Sequence, residues 1–320
     1  MADPVSRDHE TPPGHPEQSG RFDAVLRGLR YAKLLDRLPR IESRAATDDE
    51  LALCHAREYI ELVKNEIGHG ASMLSTGDTD VGRDSLEVAR RAAGGVLNAV
   101  DAVFAGTVHN AFCVVRPPGH HATPSRAMGF CIFNNVAIAA RYAQRKYGAE
   151  RVVIADWDVH HGNGTQDIFY RDGTVLFFST HQSPWYPGTG ASNETGEGKG
   201  SGLIRNCPFP ASAGPVEILG AFREILLPAA HEFRPDLVLL STGFDSRAGD
   251  PLGRFRLQDQ DFAELTAMML DLADRHAGGR LVSVLEGGYD LDGLAAAAAA
   301  HVEALAGEKL MRNRPKDDTL

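Results

Sequence analysis

Up to Phe104 the apolar positions follow a helical rhythm, and beyond it they gather into short continuous runs. Between residues 21 and 38, Phe22, Val25, Leu26, Leu29 and Leu34 recur at the spacing of one helix face, which predicts a helix there. Asp48, Asp49 and Glu50 supply the acidic start of a second helical stretch that runs through Cys54 and Tyr59 to Val63. Residues 86–104 predict another. Residues 1–20, rich in Pro, His and charge, and residues 68–83, rich in Gly, Ser, Thr and Asp, predict loops.

Residues 112–115, 152–155, 175–178, 237–240 and 281–285 are short apolar runs rich in β-branched or aromatic residues. Helix-like segments, among them 135–146 and 216–233, lie between them. Continuous apolar strands alternating with helices predict an α/β fold: three layers, α/β/α, around a central, mostly parallel sheet. With no internal repeat and no Pro/Ser linker, one domain is expected over residues 1–320, with a polar tail over 307–320.

The chemistry lies in the residues just past each strand. Val115 leads into Arg-Pro-Pro-Gly-His120-His121, and Ala155 into Asp156-Trp-Asp158-Val-His160-His161-Gly-Asn163. Phe178 leads into Ser179-Thr-His181, Leu240 into Ser-Thr-Gly-Phe-Asp245, and Leu285 into Glu-Gly-Gly-Tyr289. The carboxyl ends of parallel strands line one edge of a sheet, where ligands bind, so these clusters converge.

Asp158 and His160 are two residues apart and share one side of an extended segment. A carboxylate and an imidazole so placed form a claw for a divalent metal. Asp245, from another strand end, is the best third ligand, leaving a position open for water. Alone, such a pair is an ordinary acid beside a satisfied histidine; its place at a strand end is what singles it out. Asp₂His suits zinc and ferrous iron alike. His120 and His121 are candidates for proton transfer, oriented by Asp156 and Asn163: a carboxylate partner raises one imidazole's basicity and an amide leaves the other nearer neutral. Tyr289, after Gly287 and Gly288, is placed to donate to a carbonyl becoming an oxyanion, a contribution of roughly 3 kcal/mol for one such donor. A phenol that simply packs is the alternative.

The bulk numbers narrow the partners. Hydrophobic residues at 43% and charged residues at 24% suit a chain with a substantial core, and the net charge of −10 argues against sequence-independent nucleic-acid binding. The cysteines, Cys54, Cys113, Cys131 and Cys207, contain no Cys-x-x-Cys pair, so no thiolate zinc cage is indicated. With no apolar run of ~18 residues and no signal-peptide pattern, a cytoplasmic location without membrane association is expected. The sequence says nothing of oligomeric state.

Together these residues resemble the histone deacetylase family, within the arginase/deacetylase fold. The matching motifs are Arg-Pro-Pro-Gly-His-His-Ala ending at Ala122, Gly129-Phe-Cys-Ile-Phe-Asn-Asn135, residues 156–166, Gly188-Thr-Gly190, residues 243–253 and Glu286-Gly-Gly-Tyr-Asp290. The likeness runs from Gly14-His-Pro-Glu17 to about Ala306, and the wording around Asn163 looks like the class II branch and its bacterial relatives. The resemblance implies a deacylase that frees the amine of acetylated or otherwise acylated lysine, in a protein or peptide, or of a small acylated amine. It implies Asp158, His160 and Asp245 as zinc ligands and His121 as general base and acid. Phe130 and Tyr186 would be tunnel walls beside Gly129, Gly287 would accept the substrate amide N–H, and Arg21 would line the acetate exit. A structural potassium ion is implied near Asp156, Asp158, His160 and Ser179.

Two departures stand out. The chain begins Met1-Ala-Asp-Pro where relatives have an apolar strand before Asp-Pro, so either that strand is absent or the start lies upstream. In the loop of residues 78–84, Asp80 or Asp84 is a candidate for gripping a substrate backbone, against an ordinary solvated loop. An acetylpolyamine amidohydrolase is the nearest alternative; polyamine-selective relatives carry a Glu gatekeeper where this chain has Leu252. A catalytically silent acyl-lysine-binding protein and a two-metal ureohydrolase are more distant ones.

Overall fold

The computed structural model describes residues 1–307; apart from Gly307, the predicted polar tail over 307–320 lies outside the described residues. A 3₁₀ turn, Pro4–Arg7, precedes helices α1 (Gly20–Tyr31), α2 (Asp48–Leu51), α3 (Arg57–Gly68) and α4 (Ser85–Phe104). Next come β1 (Asn110–Cys113), α5 (Asn135–Tyr147), β2 (Val152–Asp156), α6 (Asn163–Phe169), β3 (Val175–Gln182) and β4 (Ile204–Phe209). A helical rod made of α7 (Pro215–Ala221), a π-type turn (Phe222–Leu226) and α8 (Leu227–Phe233) leads to β5 (Leu237–Thr242), α9 (Asp259–His276), β6 (Leu281–Leu285) and α10 (Leu291–Leu305).

The strands form one six-stranded sheet in the order β1-β6-β5-β2-β3-β4, every pair parallel. Successive strand residues face opposite sides. Val152, Ile154, Val175, Phe177, Leu237 and Leu239 pack with α3, α4 and α5, whereas Val153, Ala155, Leu176, Phe178, Val238 and Leu240 pack with α1, α9 and α10. Both faces are covered, which is why the central strands are apolar throughout rather than alternating. The predicted three-layer arrangement and every predicted strand are present.

The helices differ in detail. The helix expected over 21–38 stops at Tyr31, because Lys33 turns to a φ of 58° and the Leu34 amide reaches back to the Leu29 carbonyl at 2.9 Å, capping the end. The stretch from Asp48 to Val63 divides into α2 and α3, since Ala56 is extended and its amide is drawn to the Pro124 carbonyl at 2.8 Å. The edge strand β4 and helices α6, α9 and α10 are elements that the apolar pattern does not predict. At the other edge, Ala2 makes an isolated parallel bridge to Val114, and the Met1 ammonium donates to the Phe112 carbonyl at 2.7 Å.

Candidate active site

Trp157 and Val159 drop into the apolar layer beneath α10 and the α7–α8 rod, and this alternation sends Asp158 and His160 the other way. Side chain-to-backbone bonds stiffen the run: Asp156 accepts from the Asp158 amide at 3.1 Å, and Asp158 from the His160 amide at 2.9 Å. Asp245, on the turn after β5, accepts from the Val159 amide at 2.9 Å and so is pinned beside that segment. His160 Nδ1 lies 3.0 Å from Asp158 and 3.1 Å from Asp245, and donor atoms of all three residues fall within 4.8 Å of one another. All three are buried.

Room for this cluster depends on glycine. A Cβ on Gly287 would stand 2.1 Å from Asp245 Oδ2 and 2.6 Å from Asp158 Oδ2, and one on Gly243 would stand 2.1 Å from Asp158 Oδ2. Burial first, and the Asp158 charge second, push the Asp245 carboxyl up to about 7. Burial would also raise Asp158, but His120 and His160 outweigh it and hold that carboxyl low. Two buried carboxylates and an imidazole aimed at one point fit a divalent cation, which would relieve their repulsion.

His120 and His121 follow β1 through the buried Arg116. Glu286, at the end of β6, fixes their backbone by accepting from the amides of Gly119 at 2.6 Å and His120 at 3.1 Å. Nδ1 of His120 faces Asp156 at 2.9 Å and Nδ1 of His121 faces Asn163 Oδ1 at 2.8 Å, the partners predicted from the sequence. With its Nδ1–H donating, a neutral His121 ring turns an unprotonated Nε2 away from its partner. Burial alone would make His120 less basic, but the carboxylates of Asp156, Asp158 and Glu286 lift it to about 10. Burial, then the neighbouring His120 and His160, drives His121 well below its ordinary value.

Tyr289 emerges from the Gly287–Gly288 turn, and burial pushes its phenol well above the usual range. The Arg21 guanidinium sits 4.9 Å over its ring. Arg21 Nε–H donates to the Gly288 carbonyl at 2.7 Å, and a second N–H donates to the Glu286 carbonyl. Glu17, absent from the predicted site, holds Arg21 at 3.0 Å and Arg116 at 2.6 Å. Burial would raise Glu17, but Arg116 and His9, with Arg21, bring it down to about 2.

Two aromatic rings flank the cluster. Phe130, held at a φ of 67°, lies edge to face 6.0 Å from Tyr289, and Tyr186 lies edge to face 5.2 Å from His121. Gly129 cannot carry a side chain, since its Cβ would meet His121 Cδ2 at 2.2 Å. Of the loop acids, Asp80 is 3.4 Å from His15 and Asp84 precedes α4 without a side-chain cap bond. Asp78 instead makes the rim contacts, accepting from the Gly129 amide at 2.8 Å and the Tyr186 hydroxyl at 3.4 Å. Leu252 is held through its carbonyl by Trp185 Nε1–H at 2.8 Å. Ser179 pairs in register with Asp156 across β2 and β3. Asp78, Glu17 and Glu286 act on residues far off in sequence, and only their membership of charged or Gly-rich motifs signals them beforehand.

The parallel three-layer fold, with this cluster at the carboxyl ends of its strands, is that of the arginase/deacetylase class. The sequence model described as "Histone deacetylase domain" matches residues 15–305. The chain belongs to the histone deacetylase family. It is 41% identical to histone deacetylase 6 of Caenorhabditis elegans, over 93% of this chain but only 32% of that protein, so it spans about a third of that relative's length. It is 40% identical to the histone deacetylase-like amidohydrolase of Pseudomonas aeruginosa, over 95% of this chain and 81% of the relative. The crystal structure of the HDA15 HD domain superposes with a TM-score of 0.90 at 39% identity, covering 96% of this chain and 88% of that one. No helix among the described residues is long and apolar enough to cross a membrane.

Proposed function

We propose that the protein is a metal-dependent deacylase acting in the cytoplasm on acylated lysine side chains, acetyl-lysine first among them. The observation that carries this reading is the convergence of Asp158, His160 and Asp245 on one point, beside the His120–His121 pair and Tyr289. Asp158, His160 and Asp245 would hold a zinc or ferrous ion, which supplies Lewis acidity toward the amide carbonyl and toward water. Carbonyls of the 156–160 segment, with Ser179, would hold a structural potassium ion.

The remaining steps belong to the chain. His121, kept neutral, takes a proton from the attacking water through Nε2. His120, made more basic by Asp156, Asp158 and Glu286, would place positive charge beside the developing oxyanion. The Tyr289 hydroxyl donates to that oxygen. His121 then returns its proton to the leaving nitrogen, giving a carboxylate and a free amine. Phe130 and Tyr186 exclude water from the aliphatic stem, Gly129 and Leu252 shape the mouth, and the Gly287 carbonyl accepts the substrate N–H. Arg21 stands where the released carboxylate would pass.

Leu252 gives the mouth no charge with which to meet a distant ammonium, which favours lysine side chains over polyamines. A binding-only protein would need neither proton-transfer histidine nor the phenol. The test is metal analysis of purified protein with turnover of an acetyl-lysine peptide, acetylspermidine and acetylputrescine. Cleavage of the peptide by metal-loaded protein, lost on chelation, is expected; an inert peptide beside a turned-over polyamine would replace the assignment.

A further inference from the structure

The Gly-Asp-Pro-Leu-Gly motif ending at Gly253 contains a carboxylate that the proposed reaction does not use. Asp250 is only 7% exposed, and its carboxylate serves two loops. Oδ2 accepts from the amides of Tyr289 at 2.7 Å and Asp290 at 3.1 Å, while Oδ1 accepts from the Leu252 amide at 2.9 Å. One side chain from the turn after β5 therefore fastens the turn after β6.

That fastening falls where the chain is otherwise free to swing. Tyr289 comes directly after two glycines, and Gly288 has a φ of 120°, a conformation L side chains rarely adopt. Among the described residues nothing hydrogen-bonds the Tyr289 hydroxyl, so the phenol is aimed by its own backbone and by packing against Arg21 and Phe130. From these contacts we infer that Asp250 is a positioning residue: it fixes the Tyr289 backbone so that the hydroxyl meets the carbonyl oxygen, and through Leu252 it ties the proposed mouth to the same anchor. This rests on the proposed role of Tyr289.

Asparagine has the right size but cannot accept at both ends, because its NH₂ would face either the Leu252 amide or the Tyr289 and Asp290 amides, donor against donor. A misplacement of about 1 Å in a reacting group costs on the order of a hundredfold in rate. Asp250→Asn is therefore expected to lower kcat by roughly ten- to a hundredfold while KM moves by less than about threefold. The deciding measurement is a double-mutant cycle with Tyr289→Phe on an acetyl-lysine peptide. In the Tyr289→Phe background Asp250→Asn should cost almost nothing more; losses that multiply would mean general loop damage and overturn the inference, as would wild-type kcat in Asp250→Asn alone. If Asp250→Asn does not fold, Asp250→Ser enters the same cycle. Tyr289→Phe turning over at the wild-type rate would instead remove the proposed role of the phenol itself, a distinct outcome.

Discussion

The imidazoles of His120 and His121 lie 4.0 Å apart between ring centroids, yet lean on partners of unlike charge, the Asp156 carboxylate and the Asn163 amide. Burial, then the neighbouring His120 and His160, drives His121 toward the free base, whereas Asp156, Asp158 and Glu286 overcome burial and drive His120 toward the imidazolium. Under the proposed mechanism the neutral ring would be the proton acceptor and the basic one its electrostatic neighbour, with the Asp156 partner adding to the difference.

Exchanging the partner of His121 should therefore move the pH profile. Asn163→Asp gives His121 a carboxylate neighbour and raises its pKa. The base works only when neutral, so the acidic limb of kcat/KM should shift to higher pH and the rate at pH 6 should fall relative to pH 8. A pH–rate series on both proteins checks this; an unmoved limb would assign it to another group.

Removing the proton-transfer groups should separate binding from turnover. His121→Ala and Tyr289→Phe are each expected to lower kcat by roughly a hundredfold or more, with bound metal unchanged. Steady-state kinetics and metal content on the same preparations decide it, and a near-wild-type rate in either variant would cancel the role given to that residue.

Gly287→Ala addresses the metal cluster through space rather than charge. The added methyl would lie 2.1 Å from Asp245 Oδ2, so the carboxylates must part. Metal per chain after desalting should fall well below the wild-type figure, and turnover with it. Full metal occupancy in the variant would show that the cluster tolerates this displacement.

Acid should weaken the fold through histidines remote from the site. His55 accepts from the Asn134 amide through Nε2 and faces the Thr123 carbonyl with Nδ1, leaving no place for a second proton. Burial brings His55 down to about 4 and His301 to about 3. The unfolded chain, near 6.5, binds these protons first, so the contribution to stability is complete above about pH 6.5 and is lost as pH falls through the folded values. Each group contributes up to about 1.4 kcal/mol per pH unit inside that window. Urea unfolding of wild type and His301→Gln between pH 7 and 4.5 should give a shallower pH slope for the variant; equal slopes would refute a neutral native His301.

The sequence revealed the sheet and its reactive edge more fully than the helices. Strands buried on both faces read as unbroken apolar runs, which is why β2 and β6 could be placed from Val152 and Leu281 onward. Strand β4 escaped because an edge strand carries exposed Arg205 and ends in Pro208 and Phe209, breaking the pattern. Asp156 and Asn163 were legible as partners of the two histidines from motifs at strand ends, but which partner meets which ring appears only in the folded chain. Asp78 and Glu17 were not, for each acts on partners dozens of positions away and only the folded chain brings them together.

Glu17 sits between two buried arginines, one leading to the Gly288 carbonyl and the other lying in the segment that runs from β1 to His120. The front of the polypeptide, which looks expendable on paper, is in effect a keystone under the reaction floor. Anyone swapping Glu17 or its neighbours to improve expression would be altering the support of the proposed site from below.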